Sequence, residues 1–252
     1  MQMSVVLTVS ESKRLIAKGV AKLDFVQRAL REGTVAIAKG TTNSYIVEEI
    51  LGKPIKRTDY CTGVTLPEQG GPKGATSSKI PDVVLKRGQP LPVSVTEAVR
   101  EMGENDVFIK GANALNYERR QAAILIGHPT GGTIGAVLGT IVARRIKLLL
   151  PVGLEKSVPG DLFEAAARVA ADVEREGNVP MLWPVPGHIF TELEAIAVLT
   201  MARATPIGAG GIGGAEGSVR LLIEGTPVQV KAAAALLESI RGEPPFISAA
   251  ST

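Results

Sequence analysis

Thr34-Val35-Ala36-Ile37-Ala38-Lys39-Gly40-Thr41-Thr42-Asn43-Ser44 begins as a short apolar run and ends in a glycine–threonine loop. Residues 44–51 follow with helical periodicity and are stopped by Gly52 and Pro54. A strand that enters a helix through such a loop leaves backbone N–H groups unpaired at the helix N-terminus. The positive end of the helix dipole lies there too, and together they favour phosphate or carboxylate. A second stretch repeats the order. Apolar residues 122–126 precede Gly127-His128-Pro129-Thr130-Gly131-Gly132-Thr133-Ile134-Gly135, and residues 133–145 read as helix. Both loops then fall at carboxyl ends of strands, where open α/β sheets place their ligands. The expectation is an α/β protein built around a small anion.

Working outward, residues 10–31 read as helix ended by Gly33, 82–86 as strand, 95–102 as helix and 106–110 as strand. Residues 117–121 read as a turn or short helix, 147–152 as strand, 161–176 as a long helix, and 180–185 as strand. Residues 68–78 hold no regular pattern and read as a long loop, either a surface connection or a lid. This alternation predicts a mainly parallel sheet flanked by helices over residues 1–185. Beyond it, 192–201 reads as helix, 206–214 as a glycine-rich connection, 218–224 as strand and 227–239 as helix, with a frayed tail after Ile247. Counted from the strand at Met181, the order β-α-β-β-α predicts a small α+β, ferredoxin-like unit over residues 186–252.

The chain has 252 residues, 45% hydrophobic and 21% charged, the composition of a globular protein. Aromatics make up 4%, so Val, Ile, Leu and Ala must fill the core, which suits a sheet covered by alanine-rich helices. The net charge of +3 comes from scattered Lys and Arg with no basic arm, so no nucleic-acid partner is expected, while an anionic metabolite suits it. Cys61 is the single cysteine, and His128 and His188 are the only histidines. An intrachain disulfide, a Cys knuckle and a multi-histidine metal site are therefore excluded. No cofactor is expected. The first ten residues are too short and polar for a signal peptide, and no apolar run nears the ~18 residues of a membrane span. The expected location is the cytoplasm, with no membrane partner.

The candidate ligand-binding residues are Lys39, Gly40, Thr41, Thr42, Asn43, Gly131, Gly132 and Thr133. For the glycine loops the alternative is a structural turn, and for Thr133 the N-cap of a helix. Lys39 and Lys110 both end strands, as charge clamps or bases on the ligand edge, or as ordinary solvated lysines. His128 is a candidate base or donor, with loop capping as its alternative. Glu118, Glu155 and Lys156 complete the ionisable loop residues. His188 reads as a helix-start cap.

Asp106-Val107-Phe108-Ile109-Lys110-Gly111-Ala112-Asn113-Ala114-Leu115, then Gly132-Thr133-Ile134-Gly135, a helix and Ile146-Lys147-Leu148-Leu149-Leu150-Pro151-Val152, form a recognisable order. It resembles the superfamily of ribose-5-phosphate isomerase, methylthioribose-1-phosphate isomerase, the regulatory subunits of a translation-initiation exchange factor and the CoA-transferases. Ile37-Ala38-Lys39-Gly40-Thr41-Thr42-Asn43 resembles the phosphate loop of the ribose-phosphate isomerases and of DeoR-type sugar-sensing domains. The resemblance covers about residues 10–185 and implies their fold and a phosphorylated ligand. One departure bears on chemistry. The family's Gly-Ala-Asp turn carries a proton-transferring carboxylate, and Asn113 stands at that position, where an amide does not shuttle protons. Gly153-Leu154-Glu155-Lys156 does not match the glycine-flanked glutamate of the CoA-transferases.

The functional expectation is binding of a small phosphorylated metabolite (a sugar phosphate, nucleotide or CoA ester), with isomerase- or transferase-like turnover drawing on Lys110, Asn113, His128 and Glu118. The alternatives are a non-catalytic sensor or regulatory subunit, which Asn113 favours, and an assembly or scaffold protein acting through its C-terminal unit. Residues 208–217 are apolar apart from Glu216, and a homo-oligomer is expected to cover them.

Overall fold

The computed structural model describes residues 1–67 and 77–247. The predicted loop at 68–78 therefore lies outside the described residues except for Ser77 and Ser78, and so does the tail beyond Ile247. The chain opens with β1 (Gln2–Leu7), α1 (Val9–Lys22), α2 (Asp24–Glu32), β2 (Thr34–Ile37) and α3 (Thr41–Leu51). It continues through β3 (Val83–Lys86), β4 (Gln89–Pro90), α4 (Val95–Ala98), β5 (Val107–Ile109), β6 (Ala114–Asn116) and β7 (Gln121–Ile126). Next come α5 (Gly132–Ala143), β8 (Lys147–Pro151), α6 (Leu162–Ala170), β9 (Met181–Val185) and β10 (His188–Phe190). The chain closes with α7 (Glu192–Thr200), β11 (Arg203–Ala209), β12 (Val219–Glu224) and α8 (Pro227–Glu238).

A mixed six-stranded sheet, ordered β10-β8-β5-β2-β3-β4, forms the centre. β10, β8, β5 and β2 run parallel, and the hairpin β3–β4 adds antiparallel strands at the far edge. All of β2 and β5 is buried, as strands covered on both faces require. The principal apolar core takes in Ile16 of α1, Ile46 of α3, Phe108 and Leu149 of the sheet, Ile196 of α7 and Leu221 of β12.

Several features depart from the sequence reading. β7, expected beside the central strands, pairs antiparallel with β6 and β9 in a separate three-stranded sheet. The cause is chain length: β6 starts a few residues after β5 and returns directly as β7. A parallel neighbour would need a crossover of about a dozen residues or more. The grouping β-α-β-β-α expected from Met181 is spread over three sheets instead. β9 joins β7, β10 joins β8, and β11 and β12 form a sheet with β1 from the chain's start. Finally, α6 stops at Ala170, well short of 176, because residues 171–176 are exposed and have nothing to pack against. The helix read over 95–102 is likewise regular only over Val95–Ala98.

A lysine-lined cleft at the strand ends

The parallel register sets Ile37 of β2 beside Ile109 of β5, and Ile109 beside Leu149 of β8, so these strands release their chains on one edge. There the segments Lys39–Asn43, Lys110–Asn113 and Lys156 converge with residues 62–65 around a cleft of about 220 Å³. Three lysines and no acidic side chain line it among the described residues.

One wall is the first turn of α3. The helix starts at Thr41, earlier than its periodicity suggests, so the glycine–threonine loop is itself helical. Gly40 is the N-cap, contributes no side chain, and has an extended backbone with φ 167°. The first helical bond runs from the Ser44 N–H to the Gly40 carbonyl at 2.9 Å, leaving the N–H groups of residues 41–43 ahead of the ladder. Thr42 and Asn43 are 2% and 0% exposed. The Asn43 amide nitrogen donates to the Ala38 carbonyl at 2.7 Å. Its Oδ1, like the Thr42 hydroxyl, has no hydrogen-bond partner among the described residues. Buried polar atoms are nearly always paired, and these two are exceptions at one helix start.

The lysines differ in what holds them. Lys39 Nζ donates to the carbonyl and hydroxyl of Ser78 at 3.0 and 3.3 Å and lies 3.9 Å from the Asp82 carboxylate. It tethers the 78–82 segment more than it clamps a ligand. Lys156 ends the 3-10 turn Leu154–Lys156 after β8, and its Nζ donates to the Ala112 carbonyl at 2.7 Å. Lys110 Nζ reaches the Gly111 carbonyl at 3.3 Å and pairs with no carboxylate within 4.0 Å among the described residues. Burial first, and then the Lys156 charge, push its ammonium down to about 8. Burial also lowers Lys156, with Glu155 opposing. The sequence offers Lys156 only among the ionisable loop residues: it lies five residues past the end of β8, whereas Lys110 follows its strand directly.

Asn113 lines the same cleft, but its Oδ1 accepts the Leu125 N–H at 3.1 Å and its own N–H donates to the Ala123 carbonyl at 2.8 Å. Its position is thus fixed by the start of the second sheet. Near the cleft, Lys13 Nζ lies 3.5 Å from Glu155, whose other oxygen is buried and has no hydrogen-bond partner among the described residues. Glu192, wholly buried, accepts the Leu154 N–H at 3.0 Å. Burial and then the Glu155 charge raise its carboxyl to about 7. Glu155 stands among the ionisable loop residues of the sequence, but Glu192 does not show there, since nothing local marks a glutamate for the interior.

The second loop is elsewhere. With β7 outside the central sheet, His128 and Gly131 line a broad groove of about 890 Å³ with Phe163, Met181 and Trp183, sharing no residue with the lysine cleft. His128 Nδ1 is 2.9 Å from the Thr130 hydroxyl and 3.2 Å from its N–H, which makes it a cap of its own loop. Gly131 is the N-cap of α5 at φ +81°, and Gly132 opens the helix, so Thr133 is not the cap. Glu118 is exposed and faces another cavity, beside Tyr117 and Pro159. His188 lies in β10 and starts no helix.

The described residues include no cluster of three or more His, Cys, Asp or Glu placed to hold a metal ion, and no helix long and apolar enough to cross a membrane. Comparison with protein-family models, with curated proteins and with solved structures finds no match to this chain.

Proposed function

We propose that the lysine cleft binds a small phosphorylated metabolite, its phosphate seated on the first turn of α3 and countered chiefly by Lys156. The carrying observation is the unpartnered Thr42 hydroxyl, 2% exposed, beside an uncapped helix N-terminus and two half-buried lysines. A phosphate oxygen supplies the acceptor that this hydroxyl and the N–H groups of residues 41–43 lack. A volume of about 220 Å³ lies below that of sites for drug-sized ligands, which favours a sugar phosphate over a nucleotide or CoA ester. The sensor reading draws on Asn113, an amide already engaged by Leu125 where proton transfer would ask for a carboxylate.

Thermal unfolding against inorganic phosphate and sugar phosphates of graded length tests the proposal. A ligand at a hundred times its dissociation constant should stabilise the fold by about 2.7 kcal/mol. Thr42→Val removes a hydroxyl that has no hydrogen-bond partner among the described residues, so stability should stay within about 0.5 kcal/mol. Affinity for phosphate should nonetheless fall about fivefold in Thr42→Val, and about tenfold or more in Lys156→Met. No stabilisation by any phosphorylated compound, or unchanged affinity in both variants, would overturn the assignment.

A further inference from the structure

Lys110 is placed differently from the other two cleft lysines. Lys39 is held by Ser78 and Asp82, and Lys156 by the Ala112 carbonyl at 2.7 Å. Among the described residues the Lys110 amine has a single long contact, 3.3 Å, to the carbonyl of the next residue. It is half-buried and lines the cleft together with the tethered Lys156 ammonium and the helix start that would seat a phosphate. Phosphate binding alone asks for fixed cations; a loosely held amine beside a fixed one suits a nucleophile next to an acid.

We propose that Lys110 condenses with the carbonyl carbon of a phosphorylated aldehyde or ketone held in this cleft, a role that rests on the phosphate-binding reading above. The unprotonated amine attacks the carbonyl carbon, the C–N bond forms as the C=O π bond opens, and one amine hydrogen passes to oxygen to give a carbinolamine. The hydroxyl then leaves as water with a proton from the Lys156 ammonium. The nitrogen keeps its last hydrogen in an iminium, C=N–H⁺. Burial and the neighbouring Lys156 leave about a tenth of Lys110 unprotonated at neutral pH, far more than of a solvated lysine. This chemistry needs no carboxylate at position 113, which removes the objection raised by Asn113. The open-chain form of a sugar phosphate carries both required groups, a carbonyl and a phosphate.

Pyridoxal 5′-phosphate is a suitable probe, because its aldehyde and phosphate test both halves of the site and its imine is coloured and fixed by borohydride. After reduction, peptide mass spectrometry should locate the adduct on Lys110. Excess inorganic phosphate should suppress it, and pyridoxal, which lacks the phosphate, should label weakly. Lys110→Arg keeps the charge and should lose both colour and label; Lys110→Met serves the same purpose if the arginine variant does not fold. Labelling confined to other lysines overturns the nucleophile assignment, and equal labelling of Lys110 by pyridoxal and its phosphate overturns the phosphate's part in holding the ligand. Inorganic phosphate separates the two failures. If it stabilises the fold while Lys110 stays unlabelled, the nucleophile falls and the phosphate site stands; if it neither stabilises nor protects, the phosphate site falls and Lys110 with it.

Discussion

At the scale of a residue, the buried Glu192 carboxyl ties stability to pH. Glu192 is 0% exposed and its carboxyl is raised to about 7, by burial first and then by Glu155. A carboxyl raised above its unfolded value binds its proton more tightly in the folded state. Its contribution is complete below the unfolded value, about 4.5, and is lost as pH rises through about 7. The protein should therefore lose stability across that interval. Glu192→Gln keeps an acceptor for the Leu154 N–H and removes the titration, so its denaturation midpoint should change much less between those two pH values. Urea melts of both proteins at several pH values read the difference. Parallel profiles would show that Glu192 carries no charge change on folding.

At the scale of an element, two glycines that look alike in sequence do different work. Gly40 precedes α3 with φ 167°, an extended backbone open to any residue, and a Cβ built there meets nothing within 4 Å. Gly131 precedes α5 at φ +81°, and its Cβ would lie 2.9 Å from the Gly135 backbone and 3.1 Å from Trp183. Gly131→Ala should cost about 1–3 kcal/mol through the left-handed backbone and the collision, and leave phosphate affinity unchanged. Gly40→Val should do the reverse: it should keep the fold and narrow the cleft, weakening phosphate about tenfold or more. Calorimetric unfolding and phosphate titration of the two variants measure the contrast. Loss of phosphate affinity in Gly131→Ala would draw the second loop back into the site.

At the scale of the whole molecule, the chain's two ends are tied together. β1 pairs with β12 along its full length, Gln2 to Glu224 through Leu7 to Val219. A charge cluster adds a second tie, in which Arg14 of α1 meets Glu48 of α3 and Glu243 beyond α8, and Arg57 also bonds Glu243. The third strand of that terminal sheet, β11, is its outer edge. Pro206 and the bulge between Pro206 and Gly208 interrupt the strand, a pattern that discourages strand-to-strand addition. Its side chains still offer apolar surface: Ile207 is 52% exposed, and Ile212, in the loop after it, 89%. A homo-oligomer joined by side chains is the expected outcome, and Ile212→Lys should shift the mass toward monomer without unfolding the larger domain. Light scattering of both proteins tests this. A wild-type monomer at micromolar concentration would leave the loop an internal connection.

The sequence by itself determined the elements whose cause is local. The β-branched run at 34–37 makes a strand, the Gly40 break starts a helix, Pro227 opens α8, and Lys110 follows directly on its strand. From these came the mixed α/β character and the first wall of the cleft. β1 was also legible in principle as the apolar run Val5-Val6-Leu7, but six residues give little pattern to weigh. Tertiary structure alone decided which strands share a sheet. The hydrophobic run of β7 is compatible with either sheet, and the short return through β6 chose the antiparallel one. That choice carried His128 and Gly131 away from the lysines. It also took tertiary packing to bring Lys156 beside Lys110 and to bury Glu192, because proximity between residues far apart in the chain is set by sheet order and by core packing. Local sequence encodes a residue's conformation; only the closed fold sets its neighbours, and with them its charge state and its chemistry.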